Sequence, residues 1–123
     1  MSSNPVAPTV RRGEIWMAEL EPVTGHEQGG RRPCLVISNN LFNGLSMDMV
    51  IVLPLTGTQR TLNSHVGLSP PEGGLTIASD VLCEQIRSVS KTRLVRRMGD
   101  VSAASMNRVQ FALKMILSLD ARM

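Results

Sequence analysis

The sequence predicts a small, strongly bent antiparallel barrel, mainly β, with one C-terminal helix closing a side. Three observations predict it. Between residues 13 and 89 the apolar runs are short and broken by loops rich in glycine, asparagine and proline, as in a chain of short strands. After residue 102 the apolar period lengthens to that of a helix. The chain has 123 residues, 42% of them hydrophobic and 19% charged, which is the size and composition of one globular core.

The elements follow in order. Residues 13–21 read GEIWMAELE, a strand with Ile15, Met17 and either Ala18 or Leu20 facing a core. A polar, glycine-rich loop covers residues 22–32. Residues 33–38 are almost wholly apolar and read as a buried strand. Asn-Asn and Asn-Gly mark a loop over residues 39–48. Residues 49–55, MVIVLPL, form the next strand, and Pro54, which lacks an N–H, belongs at its end or at an edge. A third loop covers residues 56–63, and residues 65–68 form a short strand. The sequence PPEGG at 70–74 is a turn, and residues 79–89 make one further strand. From Ser102 to Leu119, Met106, Val109, Leu113, Ile116 and Leu117 fall on one helical stripe. Asp100 or Ser102 caps it by accepting from free N–H groups of its first turn.

Composition excludes several classes. No apolar run reaches the roughly 18–20 residues that span a bilayer, so no membrane is expected. The polar N-terminus lacks the features of a secretory signal, which makes the expected location cytoplasmic. Cys34 and Cys83 are the only cysteines and His26 and His65 the only histidines, too few and wrongly spaced for a structural zinc site. No metal or other cofactor is expected, and both cysteines read as small buried core residues. Trp16, Phe42 and Phe111 are the only aromatics, which disfavours base stacking on an aromatic sheet. The formal charge is +3, and 11 of the 13 cations are arginine, the side chain that forks onto phosphates and carboxylates.

Chemistry concentrates in Gly25-His26-Glu27-Gln28-Gly29-Gly30-Arg31-Arg32-Pro33. A turn needs glycine and an Asn or Asp. It does not need an imidazole, a carboxylate, an amide and two guanidinium groups. Either this is a solvated loop in which Glu27 pairs with an arginine, or it is a site.

Taken in order, these residues resemble the MazF/PemK family of toxin endoribonucleases. Arg12-Gly13-Glu14-Ile15-Trp16 is similar to the family's opening strand. Glu27-Gln28-Gly29-Gly30 with Arg32-Pro33 matches its signature loop, and Leu35-Val36-Ile37-Ser38-Asn39 the strand after it. Pro54-Leu55-Thr56 matches a strand end that presents a threonine. Glu84-Gln85-Ile86-Arg87 with Arg93-Leu94 matches the late strand. The resemblance implies an SH3-like barrel of the CcdB, MazF and PemK type over residues 12–123, preceded by a flexible segment, 1–11. It implies a homodimer, cleavage of single-stranded RNA, often mRNA, at short sequences, and an acidic antitoxin that covers the RNA groove.

RNA carries its own nucleophile, the 2′-hydroxyl beside the scissile phosphate. The enzyme must accept that proton, stabilise charge on the phosphorane and assist the 5′ leaving oxygen. Carried over residue by residue, the resemblance makes Arg32 the cation on the phosphate and Thr56 the hydroxyl beside it. Glu27 either accepts the 2′ proton or holds Arg32. His26 departs from the serine common in the family; it is either an added proton carrier or a tolerated loop substitution. Arg12, Gln28, Asn39, Gln85 and Arg87 join His26 as expected RNA contacts. His65 reads as incidental. Arg87, Lys91, Arg93, Arg96 and Arg97 form an acid-free cationic run, which is either a solvated face or a track for phosphates or an acidic tail. Two other readings remain. The same architecture serves gyrase-poisoning toxins that bind a protein and cleave nothing, and a plain RNA-binding domain would use the arginine-rich stretch alone.

Overall fold

The computed structural model describes residues 9–22 and 25–119. Its strands are β1 (Glu14–Glu19), β2 (Arg31–Val36), β3 (Met49–Thr56), β4 (His65–Leu68), β5 (Ser79–Leu82), β6 (Arg87–Ser90) and β7 (Leu94–Asp100). A four-residue helix, α1 (Asn40–Asn43), follows β2, and α2 (Ala103–Leu117) ends the fold. All strand pairs are antiparallel. The sheet order is β4-β5-β3-β2-β1-β7, with β6 also paired to β3. This path does not return on itself, so the expected barrel is an open, sharply bent sheet.

β3 makes the bend. Residues 49–52 pair with β6 while Leu55 and Thr56 pair with β5, all on the edge opposite β2. Pro54 is therefore neither terminal nor at an edge. It falls in the gap where the partner changes from β6 to β5, a place where a missing N–H does little harm.

Both faces of the bent sheet are buried. Ile15, Leu35, Leu53 and Leu55 pack under Val109, Ala112 and Leu113 of α2. On the other face Trp16, Ala18, Cys34, Val36, Val50 and Val52 are covered by Val10, Leu20, Val89 and Leu94. This explains why alternation misled in β1. Trp16, Ala18 and Leu20 are all buried, whereas Met17 is only half-buried. Val10 belongs to this core; residues 1–8 of the expected flexible segment lie outside the described residues.

Other expectations also shift. Residues 79–89 are not one strand, because the turn Cys83–Gln85 separates β5 from β6. β7 emerges from the cationic run. Ser102, not Asp100, caps α2, its hydroxyl accepting from the Ser105 amide at 3.1 Å. Val109 and Leu113 of the predicted stripe are buried, but Ile116 and Leu117 are about 40% exposed. No helix of the described residues is long and apolar enough to cross a membrane.

Candidate active site

Arg32 lies in β2, one strand away from Thr56 at the end of β3. The β2–β3 register pairs Cys34 with Pro54; two residues further it brings Arg32 level with Thr56. The guanidinium is fixed by two backbone carbonyls. Nε donates to Gly29 at 2.9 Å and Nη1 to Leu55 at 3.1 Å. These bonds leave the Nη2 donors for an anion. The Thr56 hydroxyl oxygen accepts from the Thr58 amide at 3.2 Å, which leaves its proton to donate elsewhere.

Both residues line one cleft of about 470 Å³, with Gln28, Arg60, His65, Glu84 and Gln85 around it. A second cavity of about 480 Å³ shares Glu84 and Gln85 and adds His26, Glu27 and Arg87. The signature loop is tied to the late turn by one bond, the Gln28 amide donating to Gln85 Oε1 at 2.8 Å. Arg87 contributes Nη1, a buried donor without a partner among the described residues. Thus Arg32, Thr56 and Gln28 share the first cleft, while His26, Glu27 and Arg87 stand beside it and Gln85 borders both.

Arg12 and Asn39 line neither cavity. Arg12 donates to the Ile37 carbonyl and, at 2.8 Å, to Gln110 Oε1, linking the sheet to α2. The Asn39 side chain caps α1, accepting from the Phe42 amide at 2.8 Å. Much of the cationic run is internal bracing. Lys91 is buried on the Asn43 carbonyl, Arg93 holds the Glu19 and Glu21 carbonyls, and Arg97 pairs with Glu14 and Asp100. Arg96 and Arg87 remain outside that bracing. Burial pushes the Cys34 and Cys83 thiols up to about 12, which makes them inert at neutral pH.

The structure adds residues that sequence reading missed. The His65 side chain, 7% exposed, lies between two carboxylates, Nδ1 at 3.1 Å from Asp80 and Nε2 at 3.1 Å from Glu84. The signal was available only through strand pairing: Asp80 sits diagonally across from His65 in the β4–β5 register. The two carboxylates meet different ring nitrogens and so do not converge on a common point. Among the described residues no group of three His, Cys, Asp or Glu could hold a metal ion.

Fold and site together define a curled-sheet protein in which a strand-held arginine and threonine line one cleft. The chain belongs to the PemK-like, MazF-like toxins of type II toxin–antitoxin systems, whose family model matches residues 11–117. It is 37% identical over 115 residues to endoribonuclease MazF9 of Mycobacterium tuberculosis, covering 89% of this chain and 98% of that protein. Among solved structures it is similar to MazF of Deinococcus radiodurans (TM-score 0.80, 27% identity, covering 90% of this chain and 98% of that one). It is also similar to a mycobacterial endoribonuclease solved in complex with its cognate antitoxin (TM-score 0.70, 26% identity, covering 89% and 94%).

Proposed function

We propose that the chain is an endoribonuclease toxin that cuts single-stranded RNA at a short sequence, without a metal, by attack of the 2′-hydroxyl on the adjacent phosphate. The products are a 2′,3′-cyclic phosphate and a free 5′-hydroxyl. The observation that carries this reading is the pairing of Arg32 and Thr56 in one cleft, with Arg32 braced by two carbonyls. A guanidinium fixed before substrate arrives stabilises the phosphorane without reorganising. Its free Nη2 donors suit two phosphate oxygens, and charge gathering there strengthens both bonds. The Thr56 proton serves a phosphate oxygen or the leaving oxygen.

Glu27 lines the adjoining cavity with His26 and Arg87, and its carboxylate is the group proposed to accept the 2′ proton or to hold Arg32. Gln28 and Gln85 offer amides for base edges, and Arg87 a cation for a neighbouring phosphate. The exposed stripe Phe111, Met115 and Leu119 on and beyond α2 supports a homodimer that covers it. As a type II toxin the chain has an antitoxin partner, whose acidic segment suits the same cationic cleft.

The test is direct. Pure protein and Arg32→Ala are each incubated with a long single-stranded RNA in excess chelator, and the ends are mapped. Discrete fragments ending in 2′,3′-cyclic phosphate, absent with Arg32→Ala, are expected. Intact RNA from a folded, antitoxin-free protein overturns the reading.

A further inference from the structure

The cleft is held in two different ways. Its chemical half, Arg32 and Thr56, is fixed by β2 and β3 and by the carbonyls of Gly29 and Leu55. Its outer walls are not strands. One is the segment 57–64, which brings Arg60 and Leu62 to the cleft. The other is the turn Cys83–Gln85, which brings Glu84 and Gln85.

One partly buried network ties these walls together. The Asp80 carboxylate accepts from the Arg60 amide at 2.9 Å and from Gln59 Nε2 at 3.3 Å, which fixes the first wall. It also meets His65 Nδ1 at 3.1 Å, and the far side of the same ring meets Glu84 at 3.1 Å. Each ring nitrogen therefore has one carboxylate within hydrogen-bond distance. The side chains of His65 and Asp80 are 7% and 4% exposed, so water competes little for that contact, whereas Glu84 is 39% exposed and meets the ring from the solvent side. Glu84 is followed by Gln85, whose Oε1 holds the Gln28 amide at 2.8 Å. The chain of contacts therefore runs from the 57–64 segment through one imidazole to the signature loop. A solvated imidazole at a strand start would not need two carboxylates and burial.

We propose that His65, bridging Asp80 and Glu84, is a positioning residue that sets which RNA sequence the cleft accepts, by holding its two non-strand walls at a fixed separation. The proposal rests on the endoribonuclease reading. It assigns base discrimination to the clamp and phosphoryl chemistry to the strands. A loosened clamp weakens substrate binding and blurs site choice while the chemical step, set by Arg32 and Thr56, persists.

The experiment compares wild type, His65→Gln and Val109→Ala on a pool of single-stranded RNA oligonucleotides with randomised bases. All cut sites are mapped, then kcat and KM are measured on the oligonucleotide that wild type prefers. Val109 is a buried core residue of α2 that does not line the cleft, and its truncation controls for general loss of stability, read by thermal melting. For His65→Gln, KM is expected to rise on the order of tenfold, the scale of one lost charge-assisted hydrogen bond. Its kcat stays within about twofold in this split of binding from chemistry, and the set of cut sequences widens. Val109→Ala keeps wild-type KM and site choice even with a lower melting temperature. If wild type cuts but His65→Gln keeps the same sites and KM, the clamp proposal falls alone. It falls also if Val109→Ala widens the sites equally. If wild type cuts none of the pool, the endoribonuclease reading falls and takes the proposal with it.

Discussion

Arg32 donates from Nη1 to the Leu55 carbonyl at 3.1 Å, and the next residue of that strand is Thr56. A single hydrogen bond between neighbouring strands thus sets the distance between the site's cation and its hydroxyl. The geometry depends on a fork. Nε and Nη1 donate to carbonyls and leave Nη2 without a partner among the described residues, a division that an ammonium on a flexible stem cannot reproduce. Arg32→Lys keeps the charge and is expected to lose roughly 10²–10³ in kcat, the range for one preorganised donor. Melting temperature should barely change. Single-turnover cleavage of an RNA oligonucleotide checks this; a lysine variant as fast as wild type would mean that charge alone suffices.

Thr56 makes a parallel case. Its oxygen accepts from the Thr58 amide at 3.2 Å, a bond that serine also makes. Thr56→Ser should therefore stay within about tenfold of wild type, whereas Thr56→Val, which keeps the shape and loses the donor, should drop by roughly 10²-fold. The two variants are compared under saturating RNA. Equal rates for valine and serine would reduce Thr56 to a turn residue.

How far the sequence could be read follows from where each contact originates. That Arg32, Thr56 and Gln28 line one cleft was legible because each sits in a local motif that matches the family's order. His65 was not, because its partners come from β5 and the following turn and meet it only after the β4–β5 hairpin has formed. β7 hid inside a cationic run, since Arg96 and Arg97 point outward and leave Leu94 and half-buried Met98 as its inward signal. Arg12 and Asn39 match the family's order, and spacing alone did not foretell that their side chains also join the sheet to α2 and cap α1.

Glu14 gives the fold a pH dependence. Burial raises its carboxyl, but bonds from Trp16 Nε1 at 3.0 Å, Arg97 Nε at 2.7 Å and the Arg11 amide at 2.8 Å outweigh that and hold it below the ordinary carboxylate value. A group depressed in the folded state contributes stability above its unfolded pKa. That contribution is lost as pH falls through the unfolded value towards the lower folded one. Glu14→Gln should lower stability at pH 7 by about 2 kcal/mol, the scale of hydrogen bonds to a charged group. The half-exposed Arg97 partner is screened by water and adds little. Denaturant titrations at several pH values between about 3 and 7 should show the gap between wild type and variant closing in acid. A gap constant with pH would deny the carboxylate this role.

Two glycines let the turn Glu72–Gly74 press onto β7. Gly74 has φ +74°, and a Cβ there would lie 2.1 Å from the Met98 carbonyl oxygen, with a Cβ on Gly99 2.7 Å from the Gly74 nitrogen. The obstacle is backbone, so it cannot swing aside. The same turn supplies Glu72, whose carboxylate accepts from the Ser102 amide at 2.9 Å and so secures the start of α2. Gly74→Ala must therefore carry left-handed strain of roughly 1–2 kcal/mol and also push the turn off the strand and the cap off the helix. Gly25 separates the two terms. Its φ is +61°, but none of the described residues lies within 4 Å of the added Cβ. Gly25→Ala should lose only the conformational part, about 1 kcal/mol, and Gly74→Ala about 3 kcal/mol or more, a large share of a domain's usual margin. Chemical denaturation of the two variants measures the difference. Equal losses would show that conformation, and not the close approach of turn to strand, is what requires glycine at position 74.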